Sequence, residues 1–94
     1  MYLTNSRSVM AMLVHELWLE EDNEKTFCLA GSMGDSARAL LSPNAKLVWT
    51  VEAGSHFEAM TKYYKHMNWG LYKTNQDWDK KPYPDEWLLI QAKK

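Results

Sequence analysis

The run Lys46-Leu47-Val48-Trp49-Thr50-Val51-Glu52, followed at once by Ala53-Gly54-Ser55 and an amphipathic stretch, constrains the fold more than any other part of the chain. β-branched and aromatic residues dominate the run, which predicts a strand with Leu47, Trp49 and Val51 on one face and Val48 and Thr50 on the other. Ser55-His56-Phe57-Glu58 is a capping box, in which the serine oxygen accepts from an amide three residues on while the glutamate reaches back. The helix it opens places Phe57, Met60, Tyr63, Tyr64 and Met67 on one stripe, with Glu58, Lys62, Lys65 and His66 outside it. Asn68-Trp69-Gly70 then offers residues able to take the left-handed stop conformation. A strand that hands over through a glycine to a helix lying back on its sheet is the unit around which the rest must pack.

Upstream, Ala11 to Glu20 reads with period two: Leu13, His15, Leu17 and Leu19 on one face, Val14, Glu16, Trp18 and Glu20 on the other. The same residues also match helical spacing, with Met10, Leu13, Val14, Leu17 and Trp18 on one stripe. The polar turn Glu21-Asp22-Asn23-Glu24 and the strand-like Thr26-Phe27-Cys28-Leu29 favour a hairpin over that helix. Gly31 to Asp35 reads as a loop and Ser36 to Leu41 as a short helix capped by Asp35 and ended by Ser42-Pro43-Asn44. Residues 1–8 read as an irregular lead-in. Residues 71–94 read as an aromatic-rich arm packed on the domain or on a partner subunit, with Pro84-Asp85-Glu86 opening a final short helix and a strand over Trp87 to Ile90 as the alternative. The expected fold is α+β: one small two-layer domain over residues 1–94, sheet plus helices, in the order β-β-α-β-α before the arm.

Composition removes several function classes. Hydrophobic residues make up 46% and charged residues 24%, the balance of a chain that folds rather than one that stays disordered. Eleven basic against twelve acidic side chains leave a net charge of −1, too little field to gather a nucleic acid. The single cysteine, Cys28, precludes an internal disulfide framework and suits a reducing compartment such as the cytoplasm, where it reads as a small buried hydrophobe. No segment carries the roughly 18 apolar residues of a membrane helix, and the apolar run after Arg7 lacks a signal-peptide cleavage pattern.

Five tryptophans and five tyrosines exceed what a core of this size can bury, which points to a subunit interface, and hence a homodimer, or to a site for a small molecule or peptide. No phosphate loop, dinucleotide fingerprint or paired-histidine helix is present, so no metal or cofactor is expected. His56 and Met60, four apart, have the spacing of an axial-ligand pair, but a methionine in an aromatic stripe is ordinarily core.

Two candidate sites follow. Ala-Gly-Ser occurs at Ala30 to Ser32 and again at Ala53 to Ser55, each at a strand exit. If the two strands are parallel neighbours, Ser32, Ser55, His56 and Glu52 gather at one sheet end, with His56 as general acid or base, Ser55 or Ser32 as polar contact and Glu52 as orienting carboxylate. In the arm, Trp69, Tyr72, Trp78, Tyr83 and Trp87 can line a groove with Asp77 and Asp79 on its rim. The leading expectation is a self-associating, non-enzymatic ligand-binding or interaction module; the alternative is a small enzyme that uses His56.

Overall fold

The computed structural model describes residues 11–92, so the lead-in expected over 1–8 lies outside the described residues. The elements are β1 (Leu13–Leu19), β2 (Lys25–Leu29), α1 (Asp35–Arg38), β3 (Lys46–Ala53), α2 (His56–Met67) and α3 (Asp85–Ala92), with 3-10 turns at Ser32–Gly34 and Asp77–Lys80. This is the expected α+β order with a helix-ended arm, and both open choices resolve: the 11–20 region is a strand and the 85–92 region a helix.

The hairpin forms because Asn23 takes the left-handed conformation, φ 68°, and the Glu20 N–H closes on the Glu24 carbonyl at 2.8 Å. β1 then sits between β2 and β3, antiparallel to both. The two Ala-Gly-Ser strands therefore run in the same direction but are not neighbours; they lie two strand spacings apart, about 10 Å. The physical reason is burial. Leu13 and Leu17 of β1 are 0% and 1% exposed, which requires sheet on both sides of that strand, while Lys25 and Lys46 begin strands that can serve as edges.

Register decides which side chains meet. Leu17 faces Phe27 and Trp49, and His15 faces Leu29 and Val51, all on the side covered by α2; Val14 faces Glu52 on the other side. A register shift between Leu17 and Trp18 brings Leu47 opposite Trp18, so Leu47 leaves the face it was expected to share with Trp49 and is 46% exposed. A one-residue slip of this kind moves a side chain to the other face of the sheet, which periodicity alone does not reveal.

The capping box forms, with Ser55 Oγ accepting from the Glu58 N–H at 3.1 Å and the Glu58 carboxylate accepting from the Gly54 N–H at 2.6 Å. Asn68, φ 61°, ends α2, and the Trp69 N–H returns to the Tyr64 carbonyl at 2.9 Å. The apolar stripe of α2 divides between two neighbours instead of lying wholly on the sheet. Ala59 and Tyr63 are buried, and Tyr63 stacks on Phe27 at 4.4 Å, whereas Phe57 and Tyr64 pack against Tyr72 of the arm at 5.7 and 5.2 Å. An arm that crosses the outer side of α2 gives those rings a second surface to bury against.

The arm is tied down by backbone. Pro82 pairs with Ser55, and the Tyr83 N–H donates to the Gly54 carbonyl at 2.8 Å. From there α3 reaches the sheet end, where the Gln91 side chain substitutes for a missing strand rung: Oε1 accepts from Val14 N–H at 2.8 Å, and Nε2 donates to the carbonyls of Val14 and Ala30 at 2.9 and 3.0 Å. The helix expected over Ser36–Leu41 is reduced to Asp35–Arg38, with Asp35 in its first turn. Arg38 folds back to the carbonyls of Leu29 and Gly31 and to Glu16, holding α1 against the sheet face opposite α2.

Candidate functional site

On the α2 side of the sheet, between β1, β2, the start of α2 and the returning arm, lies an open pocket of about 670 Å³. Its apolar wall is Phe27, Leu29, Met60, Trp78, Pro84 and Trp87; its polar groups are His15, His56, Lys81 and Tyr83. Three elements distant in sequence must meet to make it, and the Gly54–Tyr83 and Ser55–Pro82 backbone links hold them together.

His15 forms the floor and is 3% exposed. Its Nδ1 lies 3.0 Å from the Leu13 carbonyl, an acceptor only, so Nδ1 carries the proton; Nε2 then accepts from the Tyr83 hydroxyl at 2.9 Å. Burial lowers the His15 pKa from its ordinary value of 6.5 and keeps the ring neutral. Burial, together with the negative charges of Asp79 and Glu58, pushes the Tyr83 hydroxyl up to about 12, so it remains a donor. These two polar groups thus satisfy each other and present mainly ring surface to the pocket, with the His15 imidazole stacked at 5.5 Å on Phe27.

His56 differs. Its Nδ1 donates to Oδ1 of Asp79, whose Oδ2 accepts from the Tyr72 hydroxyl at 2.9 Å. Asp79 is 1% exposed, held by the 3-10 turn Asp77–Lys80 against the first turn of α2. The His56 side chain is 41% exposed, and with Nδ1 committed to Asp79 the ring turns Nε2 outward, beside Trp78 at 5.4 Å. A buried carboxylate that orients an imidazole is an arrangement suited both to anion recognition and to proton transfer.

The structure divides the residues expected at the sheet end. Ser55 caps α2, Ser32 opens a 3-10 turn and lines neither pocket described here, and Glu52 lies on the sheet face away from His56. Glu52 instead borders a shallower hollow beside Gly31 and Gln91. The position where strand-exit amides were expected to gather is filled by the Gln91 amide, and a Cβ on Gly31 would stand 3.3 Å from the Gln91 carbonyl. Of the arm aromatics, Trp78, Tyr83 and Trp87 line the pocket. Tyr72 supports Asp79 from behind, and Trp69 packs edge-on against Tyr63 and Tyr64 at 5.3 Å from each. Asp79 is not on a rim but beneath His56. His15 was legible as a polar residue on an apolar strand face, and Tyr83 as one of the arm's aromatics; Lys81, and the burial of Asp79 under His56, carried no signal, since the arm has no periodicity. Among the described residues no group of three or more His, Cys, Asp or Glu side chains is placed to hold a metal ion, and no helix is long and apolar enough to cross a membrane.

Comparison with protein-family models, curated proteins and solved structures gives no match, so function is read from this geometry.

The His15 environment has a measurable consequence. Above pH 6.5 the ring is neutral in both folded and unfolded chains and contributes no pH dependence. Below it, the unfolded chain takes up a proton that the folded chain resists, so stability falls with pH, by at most about 1.4 kcal/mol per pH unit for one group. An NMR titration is expected to give His15 a midpoint below 6.5; a midpoint at or above that value would contradict the buried neutral ring.

Proposed function

We propose that this protein is a ligand-binding module that takes a small, predominantly apolar molecule into the pocket walled by Phe27, Leu29, Met60, Trp78 and Trp87. The observation that carries the reading is the satisfaction of the pocket's buried polar groups by one another: His15 and Tyr83 bond to each other, leaving rings and aliphatic chains as the surface a ligand meets. Cavities of this size with few outward polar groups are the usual form of small-molecule sites. Titration with 2-naphthylacetamide, followed by calorimetry and amide chemical shifts, is expected to give saturable binding with shifts centred on Phe27, Trp78 and Trp87. Trp78 is 58% exposed, so Trp78→Ala leaves the core intact and is expected to weaken binding several-fold. No saturation at millimolar probe, or shifts confined to α3, would reject the site.

The module is further proposed to self-associate as a homodimer in the cytoplasm. Leu88, Leu89 and Ile90 of α3 are 45%, 68% and 40% exposed, an apolar surface that a second copy would cover. The single thiol of Cys28 accords with a reducing compartment. A monomer by light scattering at micromolar concentration would exclude the dimer.

The buried Asp79 behind His56 favours a second reading, a small enzyme with His56 as general acid or base. Its test is hydrolysis of 2-naphthyl acetate. A rate no greater than that of free imidazole, or one unchanged in His56→Ala, would exclude it.

A further inference from the structure

We infer that the pocket selects monoanions: a small carboxylic acid with an aromatic or aliphatic body, whose carboxylate meets His56 Nε2 and the Lys81 ammonium. The inference rests on the ligand-binding reading above and names the chemical class that reading leaves open.

Charge at the pocket wall supplies the first support. The ionisable groups that line it are His15, Cys28, His56, Lys81 and Tyr83, and no carboxylate lines it. Three of the five, His15, Tyr83 and Cys28, lack a positive charge to offer or are already engaged within the protein. Lys81 is an exposed permanent cation at the end of the Asp77–Lys80 turn. His15 is held neutral with both ring nitrogens bonded. Tyr83 donates to His15, and Cys28 is pushed up by burial and stays a thiol. His56 remains as the pocket's other imidazole, 41% exposed, with only Nδ1 bonded among the described contacts.

The environment of His56 supplies the second. Asp79 is buried and its two oxygens are already occupied, by the His56 Nδ1–H and the Tyr72 hydroxyl. With Nδ1 committed to the buried carboxylate, Nε2 is the ring atom left to meet a ligand. A carboxylate bridging Nε2 and Lys81 would gain an ion pair with the ammonium and a hydrogen bond from the imidazole. A neutral amide would gain the same apolar contacts without the charge-assisted bond. A cation would face the Lys81 ammonium, whose like charge repels it.

The experiment compares 2-naphthylacetate with 2-naphthylacetamide on the full chain, for the unaltered protein, Lys81→Gln and Asp79→Asn. The acid is expected to bind about tenfold tighter than the amide, the gain of one charge-assisted contact. Lys81→Gln should reduce that preference several-fold. In Asp79→Asn the buried charge behind His56 is lost, and the preference should fall again. Amide binding with no preference for the acid overturns the anion inference and leaves the pocket reading standing; binding of neither probe overturns both. An acid preference that survives both substitutions places the carboxylate elsewhere and also overturns the inference.

Discussion

Replacing Gly34 by alanine is expected to destabilise the protein by about 3 kcal/mol, enough to lower the melting temperature by roughly 10–20 °C in a domain of this size. Gly34 joins the 3-10 turn to α1, and an added Cβ would stand 1.8 Å from the Leu29 carbonyl oxygen and 3.0 Å from its carbon. That obstacle is backbone at the end of β2, which cannot rotate aside as a side chain can. Relief requires α1 to lift, and lifting α1 pulls Arg38 from the Leu29 carbonyl and from Glu16. Gly70→Ala is the control. Gly70 has φ 89° with nothing within 4 Å of an added Cβ, so it pays only the left-handed backbone cost of about 1 kcal/mol. Thermal denaturation of the two variants checks the contrast; equal losses would mean that the Gly34 approach to Leu29 is not tight.

Asp79→Ala is expected to be the most damaging substitution near the pocket, at about 2 kcal/mol. Breaking a buried ion pair costs about 3–5 kcal/mol when the partner is left buried. Here the lower figure applies, because the His56 side chain is 41% exposed and water can solvate what Asp79 leaves behind. The Tyr72 hydroxyl, by contrast, loses its acceptor in a half-buried position. With the 3-10 turn no longer anchored under α2, Trp78 and Lys81 lose their fixed placement, so probe affinity in the pocket should fall together with stability. Asp79→Asn preserves shape and one acceptor oxygen, so it should lose less stability while still altering His56. Chemical denaturation beside a probe titration separates these outcomes; an unchanged midpoint for Asp79→Ala would show that Asp79 contributes no net anchoring.

Local chemistry was readable in the chain where a few neighbouring residues decide the outcome. Ser55 and Glu58 marked the start of α2, Asn68 its end, Asn23 the hairpin, and Pro84-Asp85-Glu86 the last helix, because each acts on backbone groups within about one turn. The His56 position was likewise readable, as the first residue after a cap at a strand exit.

Partners far apart in sequence were not readable. Asp79 lies 23 residues from His56 and Tyr83 lies 68 residues from His15, in an arm with no repeating pattern to announce which side chain would turn inward. The same limit separated Glu52 from His56. Alternation placed side chains on faces correctly along β1, but only the pairing of β1 with both neighbours decided which strand lay beside which, and the register shift near Leu17 reversed Leu47.

By itself, then, the amino-acid order determined the α+β class, the succession of elements and the caps and turns that bound them, since those depend on contacts a few residues long. Tertiary structure alone decided that β1 is central, that Gln91 closes the sheet end, and that His15, His56 and Tyr83 line one pocket with Asp79 buried beneath His56. Such choices turn on which apolar faces the whole chain can bury at once, and that balance is struck only when all the elements are present together.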